Sequence, residues 1–373
     1  MKNNLKNDNR VVLTLDAGGT NFVFSAIKGG KFITDAVTLP ANADNIDRCL
    51  ETMVAGFESV KNKLTTQPVA ISFAFPGPAD YPNGIIGGYL PNFPSFRNGV
   101  ALGEFLKEKF GIPVFINNDA DLFAYGEALM GKLPEINSKL KDLGSNKQYN
   151  NLLGYTFGTG FGFGFVSGGQ LHIGDNSCVE TFCLRHKNYS NIIVEDGVSV
   201  RAIKRVYSEL SNDTTSFLEP KDIYDIAEKK RDGESLAAIK AFEMMGEIAG
   251  DAMASAVTLI DGIIVIGGGI TAAKKYIMPA LLQELRSTIT TINGDTLNRV
   301  QMKIYDLDNE CEFKQFAMGQ SRTIKVYGSN KEVNYDFEKR IGVAISKLGA
   351  SDAISIGAAA FALNEIDKEN VQH

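Results

Sequence analysis

Cysteine is scarce in this chain: Cys49, Cys178, Cys183 and Cys311 are the four present, irregularly spaced. That excludes a disulfide framework and suits a reducing compartment. An excess of positive charge is also missing, since 38 basic against 44 acidic residues leave a net charge of −6. A nucleic-acid surface requires the opposite balance. No apolar run reaches the length of a membrane span. The opening residues, MKNNLKNDNR, have no signal-peptide core. These absences predict a cytoplasmic protein with neither nucleic-acid nor membrane partners. With 44% hydrophobic and 22% charged residues the rest is ordinary for a soluble globular protein. A chain of 373 residues exceeds a typical single core and suits two domains.

Glycine, by contrast, sits where strands tolerate it badly. In "VVLTLDAGGTNFVFSAIKGGKFI", residues 11–33, Asp16-Ala17-Gly18-Gly19-Thr20 interrupts a run of strand formers. Glycine packs nothing and loses more entropy on ordering than other residues. The stretch reads as strand (11–15), glycine turn, strand (22–27), Gly29-Gly30 turn and strand (31–39). "NNLLGYTFGTGFGFGFVSGGQLHI", residues 150–173, repeats that order: strand (152–157), Gly158-Thr159-Gly160, strand (161–166), Gly168-Gly169, strand. Two related halves, each opening with an antiparallel meander, are expected.

Each meander is followed by alternating helices and strands. Ile46, Leu50, Met53, Val54, Phe57 and Val60 recur at helical spacing over 45–63, before a buried strand at 69–75. A helix at about 100–110 and a strand at 113–116 complete that half. The second half predicts helices near 198–210, 221–230 and 234–259 and a strand at 262–266. The class is α/β with mixed sheets flanked by helices. Residues 133–149 read as an inserted surface loop or frayed helix. In 297–334 only a strand at 302–307 is legible, and the segment reads as a variable insertion.

Three glycine turns follow apolar strands: Gly18-Gly19, Gly158-Thr159-Gly160 and Gly267-Gly268-Gly269. A turn without Cβ atoms brings backbone N–H groups close to a ligand, and such nests bind phosphate. Three together suggest one nucleotide, whereas each alone is compatible with a tight turn. Asp16 fits Mg²⁺, directly or through water, because that ion takes oxygen ligands and retains several waters; the plain alternative is a turn residue. In "VFINNDADLFAYGEAL", residues 114–129, a strand ends in Asn117-Asn118-Asp119 and a helix begins at once. Asp119 is either an N-cap or a carboxylate at a strand's C-terminal end, where α/β domains collect ligands. There it would accept a proton from a substrate hydroxyl. Asn118 could donate to and accept from a sugar hydroxyl. Spacing alone leaves both readings open.

"LDAGGT", "FAFPGPADYPNGIIGGYLPNFPSF", "INNDADLFAYGE", "GYTFGTGFGFGFV" and "IVIGGGI" occur here in the order found in the ROK family. That family (repressors, uncharacterised reading frames and kinases) belongs to the sugar kinase–Hsp70–actin superfamily. The resemblance spans about 11–363. It implies two actin-like, ribonuclease H-like domains with a cleft between them: 1–117, completed by a C-terminal helix at about 351–367, and 118–350. It implies that Asp16, Gly18, Gly19 and Thr20 and the turn Gly158, Thr159, Gly160 hold ATP phosphates and Mg²⁺, with Gly267, Gly268 and Gly269 near the adenosine. It implies Asp119 as catalytic base, and Asn92, Asn118, Glu180 and Glu195 as sugar contacts. Without the resemblance, Asn92 is a loop residue, Glu180 a solvated charge, and Glu195 a first-turn helix carboxylate.

The pattern also departs from the family. Many members carry a GEIGH histidine and a CxCGxxGC cluster that together bind structural zinc. Here "CVETFCLRHKNYSNIIVEDG" leaves Cys178, Cys183 and His186, and structural zinc takes four ligands. No zinc is expected; the three read as two small apolar cysteines and a surface histidine. The missing histidine also touches sugar in the family, so Phe182 or Arg185 is expected to reshape that wall. Family repressors have an N-terminal helix-turn-helix, and ten residues before Val11 leave no room for one. The reading is an ATP-dependent hexokinase-type kinase acting at the 6-hydroxyl of a hexose. Glucose is the default, with N-acetylated hexosamines, mannose, fructose and allose open, and a non-catalytic sugar sensor as the other class. The resemblance suggests a homodimer.

Overall fold

Five consecutive buried residues, Val11 to Leu15, place the strand Val11–Ala17 inside a sheet covered on both faces. Near-continuous apolar runs are what such strands require. The computed structural model describes residues 5–77, 79–212 and 217–372. They form two units: Met1–Pro134 with Gly164–Val179 and Lys347–His373, and Glu135–Phe163 with Glu180–Ser346. Among the described residues no helix is long and apolar enough to cross a membrane.

In the first unit, the sheet runs in the order Lys31–Phe32, Asn21–Lys28, Val11–Ala17, Pro68–Ala74, Val114–Asn117, with Val37–Pro40 also paired to Asn21–Lys28. The meander pairs are antiparallel (Val12 opposite Ile27), and Pro68–Ala74 lies parallel to both Val11–Ala17 and Val114–Asn117. Gly29 and Gly30 have φ of 59° and 71°, the two-residue geometry that matches strand twist. The predicted third strand is two strands, Lys31–Phe32 and Val37–Pro40.

Helix Ile46–Lys61 starts at Asn45, whose side chain accepts from the Arg48 N–H at 3.1 Å. It buries Cys49, Met53, Phe57 and Val60 in a core with Phe22, Phe24, Phe73, Phe75, Phe93 and Phe96. Each buried phenylalanine contributes about 1.5–3 kcal/mol. The opposite face carries Ala74 against Ala358 of helix Ala350–Gln372, with Phe115 edge-on to Phe361. That helix also packs on helix Asp119–Leu129. The contact is backbone on backbone: a Cβ on Gly357 would lie 1.9 Å from the Leu122 carbonyl oxygen, and one on Gly126 2.0 Å from that of Ala353.

In the second unit, Asn151–Phe157, Ile263–Gly267, Arg340–Ile345 and Lys303–Asp306 are parallel neighbours in that order. Strand Phe161–Ser167, which passes into the first unit at Gly164, pairs antiparallel with Gln170–Leu171, so this sheet is mixed too. Helix Ser235–Ile260 packs on Asn151–Phe157 and helix Lys274–Leu285 on Lys303–Asp306, while Val200–Ser211 and Pro220–Ala227 pack on Ser235–Ile260.

Two segments differ from expectation. Residues 133–149 contain a regular helix, Lys132–Asp142, with Leu133, Ile136 and Leu140 buried at helical spacing; three apolar positions suffice when they share a face. Within 297–334 lie helix Glu310–Met318 and part of the hairpin Ser321–Lys325/Glu332–Asp336 as well as the strand. All ten hairpin residues are exposed, so no burial pattern announced it.

Candidate active site

Strand Val114–Asn117 gives way to a helix at Asn118, which is itself still extended, φ −67° and ψ 148°, and caps helix Asp119–Leu129. Its Oδ1 accepts from the Ala120 N–H at 2.8 Å. The capping role considered for Asp119 therefore belongs to Asn118, which leaves its amide nitrogen to donate elsewhere. Asp119 is the first helical residue, and its Oδ1 accepts from the same N–H at 2.8 Å. The residue is open to water, yet protein crowds its carboxyl at longer range. Poor hydration of the charged form, and then the negative charge of Asp16, push its pKa up; the bond to the Ala120 N–H only partly opposes this.

Asp16 is the penultimate residue of Val11–Ala17 and is exposed. Its strand and Asp119's are both parallel to Pro68–Ala74, so the two carboxylates stand at the same C-terminal edge of one sheet. In the following turn, Gly19 presses against the loop bearing Asn92. A Cβ there would lie 2.9 Å from the Asn92 Cβ and 3.2 Å from its carbonyl oxygen. Asn92 is held at this point by its neighbour Phe93, which is buried, stacked on Phe22 and 4.6 Å from the Phe75 ring centre. The first unit thus gathers Asp16, Gly18, Gly19, Thr20, Asn92, Asn118 and Asp119 around one sheet edge.

In the second unit two glycine turns leave adjacent parallel strands, where Thr156 is in register with Gly267. Gly268 has φ 94°, and a Cβ on it would lie 2.3 Å from the Phe157 carbonyl oxygen; only glycine fits. A Cβ at Gly158 or Gly269 would meet nothing within 4 Å. Those two positions face open space, as a phosphate or nucleotide cradle requires. Gly160 does not: its Cβ would lie 2.7 Å from Glu195 Oε2. Glu195 occupies the short turn Val194–Gly197; its Oε2 accepts from the Phe161 N–H at 3.1 Å and its Oε1 from Arg201 at 3.1 Å. Glu180 is half-buried in irregular chain before Thr181.

The sequence pattern of the ROK family matches residues 12–181. A crystal structure of glucokinase from Parabacteroides distasonis is 58% identical, with 96% of this chain and 99% of that one covered and a TM-score of 0.87. The chain belongs to the ROK family. On that near-complete likeness to an enzyme, it is a sugar kinase. A ROK family glucokinase from Streptomyces griseus, solved with glucose and AMPPNP, shares the fold at 17% identity, with 94% of this chain and 98% of that one covered and a TM-score of 0.60. Glucokinase from Thermotoga maritima is 29% identical over 44% of this chain, and the chain spans about half of that relative's length, 46%.

The ROK zinc segment is altered in a way the sequence did not reveal. His186 is buried, not on the surface: it lies in the hairpin Arg185–His186/Tyr189–Ile193 and accepts on Nδ1 from the Asn188 N–H at 3.1 Å. Its other nitrogen abuts Gly197, where a Cβ would lie 2.6 Å away. Burial, and then the charge of Arg205, lower its pKa. Cys178 and Cys183 are exposed. Among the described residues no three His, Cys, Asp or Glu side chains are grouped to hold a metal. Metal analysis of the purified protein should find well under one zinc per chain, and a chelator should leave the melting temperature unchanged. Tightly held, near-stoichiometric zinc would overturn this.

The sequence also offered no sign of Arg201 or the Phe161 N–H. Neither a residue six positions from Glu195 nor a backbone group carries a signature.

Proposed function

We propose that this ROK kinase transfers the terminal phosphoryl group of ATP to the exocyclic 6-hydroxyl of a hexose, glucose first among them. One observation carries the reading: Asp119, with a raised pKa, shares a sheet edge with Asp16, the Gly18-Gly19 turn and Asn92. A base near a polar turn and a carboxylate is what phosphoryl transfer to an alcohol needs.

In this mechanism Asn92 and the Asn118 amide orient the sugar, with Glu180 and Glu195 as further contacts. The hydroxyl oxygen forms a bond to the γ-phosphorus while the bond from phosphorus to the ADP oxygen breaks. Asp119 takes the hydroxyl proton. The open faces of Gly158 and Gly269 and the turn at Gly18, Gly19 and Thr20 support phosphate and nucleotide binding through backbone N–H groups. Mg²⁺ fits the exposed Asp16, because it takes one or two carboxylates and otherwise waters and phosphate; when bound it would neutralise phosphate charge.

Release of ADP from ATP, measured with glucose, N-acetylglucosamine, mannose, fructose and allose, tests the reading. Glucose should give the highest kcat/KM, and phosphorus NMR of the product should place the phosphate on the 6-oxygen. Preference for an acetylated sugar would move the substrate within the class. Sugar binding without ADP release would mean a sensor and overturn the kinase.

A further inference from the structure

Gly160 and Gly158 belong to one turn but meet different surroundings. Gly158 faces open space, whereas Gly160 lies against the Glu195 carboxylate. The absence of a side chain at 160 thus serves the glutamate. The turn's exit is then tied to that carboxylate by the Phe161 N–H at 3.1 Å. Its entrance is tied nearby, since the Gly158 carbonyl accepts from the Val200 N–H at 3.0 Å. Val200 opens the helix that carries Arg201.

Glu195 is fixed on every side. Its own N–H donates to the Phe182 carbonyl at 3.2 Å, and its carbonyl accepts from Val198 at 3.0 Å. The Phe161 N–H takes one carboxylate oxygen and Arg201 the other. An ionised carboxylate has about four acceptor sites, so both oxygens retain capacity for a sugar hydroxyl. Arg201 is more than half exposed and its second acidic neighbour, Asp196, is at 3.8 Å. Such a surface pair adds little to folding. Its geometric effect is to pin the carboxylate that pins the turn.

We propose that Arg201 and Gly160 are positioning residues that hold Glu195 against the glycine turn, so that one carboxylate couples sugar binding to nucleotide binding. The proposal rests on the kinase reading for the identity of the two ligands. A hydroxyl donating to Glu195 restrains the group that orders Gly158-Thr159-Gly160, and the nucleotide then meets a turn already set. The coupling is reciprocal by linkage.

Calorimetry on the full chain with AMPPNP, with and without glucose, tests it. In the unaltered protein, glucose should tighten AMPPNP by at least about fivefold, the lower end of usual coupling. Arg201→Ala should reduce that factor to about one without changing the melting temperature, and Arg201→Lys, which keeps the charge, should restore part of it. Gly160→Ala should weaken AMPPNP several-fold even without sugar, because the methyl displaces Glu195. No coupling in the unaltered protein, full coupling in Arg201→Ala, or unchanged AMPPNP affinity in Gly160→Ala each overturn the proposal. Failure to phosphorylate any hexose strikes the kinase reading alone, since the Gly160→Ala measurement with AMPPNP needs no turnover.

Discussion

Asp119→Asn should lower kcat by about 10²–10⁴-fold, the usual contribution of a general base, while sugar still binds. Asparagine preserves the shape and the contact with the Ala120 N–H but cannot take a proton. The helix does not depend on it, because Asn118 is the cap. The pH dependence follows from the raised pKa. Only the ionised carboxylate is a base, so the acid limb of the kcat/KM profile should lie above the ordinary carboxylate range. Stability runs the other way. A carboxyl whose folded pKa exceeds its unfolded value contributes stability that is complete below the unfolded pKa and is lost as pH rises through the folded one. Wherever it is ionised the group is therefore a burden, and Asp119→Asn should be less stable than the parent by no more than about 1 kcal/mol, the size of a helix-end effect. An active Asp119→Asn protein would remove the base from the mechanism; an inactive one that melts much lower would indicate a structural role.

Gly357→Ala should be among the most damaging small substitutions in the first unit. In an isolated helix, glycine to alanine gains about 1 kcal/mol. Here the new Cβ would stand 1.9 Å from the Leu122 carbonyl oxygen, with the Leu122 carbonyl carbon and the Gly126 nitrogen also within 3 Å. These are backbone atoms and cannot swing aside, so helices Asp119–Leu129 and Ala350–Gln372 must separate. Overpacking costs about 1–3 kcal/mol where side chains can yield and more where they cannot. The net loss should be at least about 2 kcal/mol, a melting shift of roughly 2–3 °C for a chain of this size at about 2.1 cal/mol/K of unfolding entropy per residue. Because Asp119 opens one of these helices, kcat should fall as well. A variant that melts higher would show that helix propensity wins and the contact is loose.

Much of this was legible, for definable reasons. Gly18, Gly158 and Gly268 disrupt apolar strands, and a disruption that conflicts with local propensity is visible without a structure. Asn118-Asp119 was visible because strand residues give way to a helical period at that point. The division of labour within the pair was not: both residues are good caps, and only φ, ψ and the donor position assign the role to Asn118. Gly19 and Gly160 were read as serving a ligand, yet each also makes room for a distant side chain, Asn92 or Glu195, through contacts no local pattern encodes. His186 was misplaced because a lone histidine among exposed residues has no period to reveal burial, which the turn at Lys187-Asn188 and the closeness of Gly197 decide.

Helix Ala350–Gln372 lies against strands Val11–Ala17, Pro68–Ala74 and Val114–Asn117, all of them made long before it. Arg10 and Asp367, 357 positions apart, form an ion pair at 2.6 Å. During synthesis the first unit must therefore wait. Its sheet can assemble early, but the Ala74 face and helix Asp119–Leu129 stay uncovered until helix Ala350–Gln372 emerges, and uncovered apolar surface is prone to aggregation. At about 5–20 residues per second, the interval is tens of seconds. The edge that bears Asp16 and Asp119 is then covered only once helix Ala350–Gln372 has been made, and products that stop before it should be inactive.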